Sequence, residues 1–127
     1  MSALADLLNL VVTSMQMNSL CTTVRVLDTH QFSDRQYALK VRAELAGGGS
    51  LQVRLYRNGD HTDYAYHVSI ADTALRWDNK EHFRLLSSHP HHFHNASGRV
   101  ETSLLNGDPA HDLPVVLSLV NRIAARE

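Results

Sequence analysis

Tyr37-Ala38-Leu39-Lys40-Val41-Arg42-Ala43-Glu44-Leu45 is the stretch that decides the fold. Leu39, Val41, Ala43 and Leu45 alternate with Lys40, Arg42 and Glu44, so a strand here has one buried face and one wet face, as in an antiparallel sheet covered on one side. Gly47-Gly48-Gly49-Ser50 follows; glycine tolerates the positive φ that a tight hairpin needs. Leu51-Gln52-Val53-Arg54-Leu55-Tyr56 alternates again, and Asn58-Gly59-Asp60 is a second hairpin signal. Upstream, Thr23-Val24-Arg25-Val26-Leu27-Asp28 reads as a strand; downstream, 63–71 and 74–78 complete the series. Residues 22–78 therefore predict an antiparallel meander of four or five strands.

Helical spacing flanks this meander. Leu4, Leu7, Leu8, Val11, Val12 and Met15 follow Ser2, a suitable N-cap, and predict an amphipathic helix over 2–18 whose stripe faces the core. Near the other end, Val116, Leu119, Val120 and Ile123 form the stripe of a helix over 113–125, with Asp112 suited to the N-cap and Pro114 to the first turn. Between them, 79–107 loses its period and reads as a long His-rich loop, with a short strand offered by Arg99-Val100-Glu101-Thr102. The expected fold class is α+β: one domain over 1–127, an antiparallel four- to five-stranded meander packed on one face by an N-terminal and a C-terminal helix. The other face would carry Lys40, Arg42, Arg54 and His67.

Composition excludes several classes of function. With 43% apolar residues in 127, the chain can build one core. A net charge of -1 does not mark a strongly basic nucleic-acid binder, although this count treats all nine histidines as neutral. Cys21 is the only cysteine, which rules out an intrachain disulfide and a thiolate zinc finger, and it reads as structural. The first residues lack a basic leader region, and no apolar run approaches the roughly 20 residues of a membrane helix. A cytoplasmic protein without membrane segments is expected.

His82, His89, His91, His92 and His94 crowd one interior segment, interrupted by Pro90 and Phe93. Histidine titrates nearest neutral pH and is the commonest metal ligand. One reading is acid–base cleavage of RNA. A base removes the 2′-hydroxyl proton, an acid protonates the departing 5′-oxygen, and a guanidinium stabilises charge on the phosphate. Arg76 lies just before the segment, and Arg42 and Arg54 can reach in from neighbouring strands. A second reading is a zinc, nickel or copper site built from His89, His91, His92 and His94, with Asp78 and Asn79 nearby. The spacing matches neither a helical zincin nor a zinc ribbon; on an extended segment His92 and His94 point one way and His91 the other. In a third reading the histidines are solvated or structural, which suits each taken singly. His30, His61 and His111 are isolated and read as surface residues, while Trp77 and Tyr66 read as core anchors.

Taken together, Tyr64-x-Tyr66-His67, Arg76-Trp77-Asp78-Asn79-x-x-His82 and His89-Pro90-His91-His92-x-His94 resemble the signature of TumE-type toxins, small proteins of prokaryotic toxin–antitoxin modules. The resemblance runs from about Val24 to Val100, and the terminal helices fit the same layout. Two positions depart from the family pattern. Asn79-Lys80-Glu81-His82-Phe83 lacks one histidine of the pattern, and Phe93 stands where the pattern has Lys. The helix-then-meander order is also similar, at the level of fold alone, to small RelE- or barnase-like ribonucleases.

The resemblance implies a growth-inhibiting toxin whose partner is a cognate antitoxin, typically a helix-turn-helix DNA-binding protein. On this reading the chain is a metal-independent endoribonuclease that needs no cofactor and takes RNA as substrate. His91 and His92 would be general base and acid, with His94 or His82 as alternates. Arg76 would stabilise the phosphate, Asp78 beside Asn79 would orient an imidazole, and Lys80, Arg42 and Arg54 would contact RNA. The alternative is a non-enzymatic protein whose His-rich loop binds zinc, another divalent transition metal or a protein partner. Neither reading involves a membrane, and both admit a homodimer.

Overall fold

The computed structural model describes residues 2–126. The chain runs α1 (Ala3–Gln16), β1 (Cys21–Ser33), β2 (Gln36–Leu45), β3 (Ser50–Asn58), β4 (His61–Ile70), β5 (Thr73–Asp78), β6 (His92–His94), β7 (Val100–Thr102) and α2 (Pro109–Arg126). The strands form one antiparallel sheet in sequence order. The α+β class stands, but the sheet has seven strands rather than four or five. The two additional strands lie inside the segment read as a loop: His92–His94, which was not expected, pairs with β5, and Val100–Thr102, within the short strand expected at 99–102, pairs with His92–His94. Three-residue strands are too short to show alternation in a sequence.

Alternation sorts the sheet into two faces. Tyr37, Leu39, Val41, Ala43 and Leu45 of β2, Leu51, Val53 and Leu55 of β3, and Tyr64, Tyr66 and Val68 of β4 are buried. Val11 and Met15 of α1 and Leu113, Val116 and Val120 of α2 join the same core. Each buried Val, Leu or Met side chain among these contributes about 1.5–3 kcal/mol by leaving water. The helices cover one face only, which leaves Lys40, Arg42, Arg54, His67 and Arg76 on the open one.

Ser2 caps α1, its hydroxyl accepting from the Ala5 amide at 3.1 Å. The second helix begins four residues before the expected start. Asp108, not Asp112, is its cap: the Asp108 carboxylate accepts from the Ala110 amide at 3.1 Å, and Pro109 takes the first helical position. Asp112 is fully buried and accepts from the amides of Asn106 and Gly107 at 2.9 and 2.8 Å, stapling the segment that leads into the helix. Pro114 therefore lies within the helix rather than in its first turn; it is exposed, as is Ala110, whose carbonyl it leaves unpaired by the helix ladder.

Between β2 and β3 the chain turns through Gly49, whose φ is +98°. A Cβ at this position would lie 2.1 Å from the Ser69 carbonyl oxygen, so both the conformation and the close approach of β4 require glycine.

Candidate functional site

Register brings the site together on the open face. Asp78 stands opposite His92, and Arg76 opposite His94, across the β5–β6 ladder. Asp78 and His92 are buried. The His92 Nε2 lies 2.7 Å from Asp78 Oδ1, and its Nδ1 lies 3.3 Å from the Pro90 carbonyl oxygen. Both neighbours are acceptors, so the ring is tied down at both nitrogens. Asp78 Oδ2 accepts from Arg76 Nε at 2.9 Å, and Oδ1 accepts from the Lys80 amide at 3.1 Å. Burial pushes the Asp78 carboxyl up, but the Arg76 and Lys80 hydrogen bonds and the charges of His92 and Arg76 outweigh it and hold the group below its ordinary value. Asp78 is thus a buried anion that positions His92 and Arg76.

His94 is the reachable imidazole. Its side chain is 32% exposed, with Nε2 at 3.9 Å from Asp78 Oδ2. The His92 and His94 rings are 5.0 Å apart and meet edge to face. Partial burial lowers the His94 pKa, helped by the charges of His92 and Arg76 and opposed by Asp78. Near neutrality His94 is therefore a neutral base. Arg76 keeps the outer end of its guanidinium open, its side chain being 39% exposed.

Phe83 forms the wall of this pair, its ring 4.7 Å from His92 and 6.0 Å from His94. It directly follows His82 in the sequence. Phe93 faces the other way and stacks on Trp77 at 4.7 Å in the helix-covered layer. A cation in place of Phe93 would point away from His92 and His94, so its absence removes nothing from this site.

His91 does not join His92. Its Nδ1 lies 2.8 Å from the Tyr64 hydroxyl, and its ring helps line a different cavity of about 520 Å³ with Arg57, Thr62, Asn79 and Gly107. Strand alternation is the cause, since His91 precedes β6 and turns opposite to His92 and His94. Burial, then the charge of Asp112, then Asp78, raise the Tyr64 pKa, so the phenol stays protonated and donates to His91. Burial lowers the His91 pKa, with help from the charges of His89 and His92 against Asp112.

The remaining candidates are dispersed. Asn79 is buried; its Oδ1 accepts from the Tyr64 amide at 3.0 Å and its Nδ2 donates to the Thr62 carbonyl at 2.7 Å, fastening the end of β5 to β4. His82 is exposed at the edge of Phe83, with ring centres 6.4 Å apart. Lys80 is exposed and shares a cavity of about 400 Å³ with Arg54. Arg42 is engaged by Glu44 at 3.2 Å. The four-histidine metal set is not assembled. Asp78, His92 and His94 instead bring one donor atom each within 4.8 Å of one another, while His89 is exposed and His91 turns away.

Sequence reasoning missed Phe83 as a wall, and it placed His67 on the open face without a role. His67 is the register partner of Arg76 on the side away from His94. Only cross-strand register reveals that alignment.

Among the described residues, no helix is long and apolar enough to cross a membrane. No curated protein and no solved structure matches the chain. A family described as Toxin TumE matches residues 9–124 of the 127. The match runs from within α1 to within α2 and takes in the whole sheet and every residue of the Asp78 cluster, and the chain belongs to the TumE toxin family.

Proposed function

We propose that this member of a toxin family, whose membership implies a cognate antitoxin, arrests growth by cleaving RNA on the open face of the sheet without a metal ion. The observation that carries the reading is the convergence of two cross-strand partners on one buried carboxylate, Asp78: Arg76 hydrogen-bonds it at 2.9 Å, and the His94 Nε2 lies 3.9 Å from it. A neutral imidazole beside a guanidinium suits phosphodiester cleavage. His94 takes the proton of the 2′-hydroxyl, and the 2′-oxygen attacks phosphorus. A 2′,3′-cyclic phosphate forms as the bond to the 5′-oxygen breaks. Arg76 stabilises the charge on the phosphate. His67 stands two strands from His94, about 10 Å by backbone, with Arg76 between them, and returns a proton to the departing 5′-oxygen. Asp78 and His92 position the machinery; His92 is too buried to touch substrate. The antitoxin partner on this reading is of the helix-turn-helix type.

Induced expression in a host lacking the antitoxin tests this. His94→Ala should relieve growth arrest while the melting temperature stays near that of the parent; Arg76→Ala should relieve it too, with a lower melting temperature because the buried Asp78 carboxylate loses its guanidinium. His91→Ala should leave the arrest in place. Arrest that survives His94→Ala would remove the proposed base.

A second reading is favoured by one observation, the convergence of Asp78, His92 and His94 as a two-histidine, one-carboxylate donor set. Against it, the Arg76 guanidinium already holds Asp78 Oδ2 at 2.9 Å, and a divalent cation there would sit beside a fixed positive charge. Calorimetric titration with zinc separates the two readings: stoichiometric binding lost in His94→Ala favours the metal, and its absence favours the ribonuclease.

A further inference from the structure

Next to the His94–Arg76 pair the open face has a hollow of about 110 Å³, lined by Lys40, Gln52, Arg54, Ala65, His67 and Arg76. It exists because Ala65 is small. In register, Arg54 and Asp78 flank Ala65, and Lys40 lies beyond Arg54. The next row runs Gln52, His67, Arg76, His94. A methyl group ringed by long side chains leaves room above it for a small ligand. No carboxylate lines this space.

Two of the three arginine and lysine charges around the hollow, those of Lys40 and Arg54, are uncommitted. Glu44 engages Arg25 and Arg42, Asp60 engages Arg35, and Asp78 engages Arg76. Lys40 and Arg54 have no acidic partner within 4 Å among the described residues, and they stand directly opposite each other across the β2–β3 ladder. Like charges placed directly opposite destabilise a sheet. An anion between them removes that repulsion, and a tetrahedral phosphate offers oxygens to several donors at once.

We propose that this hollow is a phosphate subsite for the nucleotide adjoining the scissile one, so that a single RNA strand crosses β6, β5, β4 and β3 instead of running along them. The identity of the strand rests on the ribonuclease reading; the anion site rests on the hollow itself. Arg76 belongs to both and sets the register between the bond to be cut and the neighbouring phosphate. The remaining contacts track the backbone and read no base, so the subsite contributes affinity without sequence preference.

The test uses two probes on the intact protein, inorganic phosphate and a 2′-O-methyl RNA that cannot be cleaved, with the His67 and His94 ring resonances followed by NMR. Both probes should shift His67 and compete with each other. Lys40→Ala/Arg54→Ala should weaken the RNA by about tenfold or more, the loss of two charge-assisted contacts. It should also flatten the salt dependence by about 1.4 in log–log slope. Ala65→Leu, which fills the hollow and removes no charge, should show the same loss of affinity. Unchanged RNA affinity in both variants overturns the subsite, even if the parent cleaves RNA. A shift of His67 by phosphate but not by RNA overturns the strand path. If the parent cleaves no RNA and both variants still lose the 2′-O-methyl RNA, the subsite stands and the ribonuclease reading fails.

Discussion

The Asp78 carboxylate meets the His92 ring at 2.7 Å across the β5–β6 ladder, with both side chains buried. Removing one partner of such a pair leaves the other without compensation, at a cost of about 3–5 kcal/mol. Asp78→Ala should destabilise the protein by that amount in urea unfolding and should abolish growth arrest. Asp78→Asn keeps the shape and an acceptor oxygen and should cost less. A loss below about 1 kcal/mol in Asp78→Ala would mean that the pair does not organise the site.

Stability should depend on pH in two separate windows. His91 and His94 have folded pKa values below the ordinary 6.5, so the unfolded chain binds more protons as pH falls through that value. Their contribution is complete above pH 6.5 and declines below it until the folded pKa values are passed. Asp78 is lowered from 3.8, so its contribution is complete above that pH and declines below it. Urea midpoints measured from neutral to acid pH should fall in both windows. His91→Gln should flatten the first and leave the second. A first window that His91→Gln leaves unchanged would contradict the part given to His91.

Gly49→Ala should be among the most damaging single substitutions. The new Cβ would lie 2.1 Å from a β4 carbonyl oxygen at a φ of +98°. A loss of at least about 3 kcal/mol is expected. Gly47→Ala also sits at positive φ but meets nothing within 4 Å, so it should cost clearly less. Equal losses would locate the strain in the backbone angle alone.

Tyr66 buries a hydroxyl that has no hydrogen-bond partner among the described residues. A buried polar group left unpaired costs about 1–3 kcal/mol. Tyr66→Phe should therefore leave the melting temperature unchanged or raise it. A clear drop would reveal a partner for that hydroxyl, such as a bound water.

The sheet was legible where its strands alternate: β1, the longest at 13 residues, is exposed along most of its length and reads as a strand only over 23–28. From β2 through β5 the alternation of apolar and polar residues marks both the strands and their faces, and the strand alternation at 91–94 anticipates that His91 parts from His92 and His94. The short strand His92–His94 was not legible, because three residues carry no period, whereas Val100–Thr102 falls within the short strand read at 99–102. Asp112 resembled a cap because it precedes an apolar stripe, but in the fold it faces inward and Asp108 caps the helix. At the site, the resemblance and local spacing singled out Arg76, Asp78, His92 and His94. His67, Ala65 and Phe83 depend on cross-strand register and on the path of the chain at 79–91, neither of which is written in local spacing.

The most direct test of the central claim is incubation of the purified protein, and of its His94→Ala variant, with total RNA, with and without EDTA, from about pH 5.5 to 8. The account predicts cleavage that survives EDTA, leaves 2′,3′-cyclic phosphate ends and follows a bell-shaped pH profile. Its acid limb should titrate below pH 6.5, and the activity should vanish in the variant. Cleavage that EDTA abolishes, or that His94→Ala retains in full, would contradict it, as would RNA left intact under every condition.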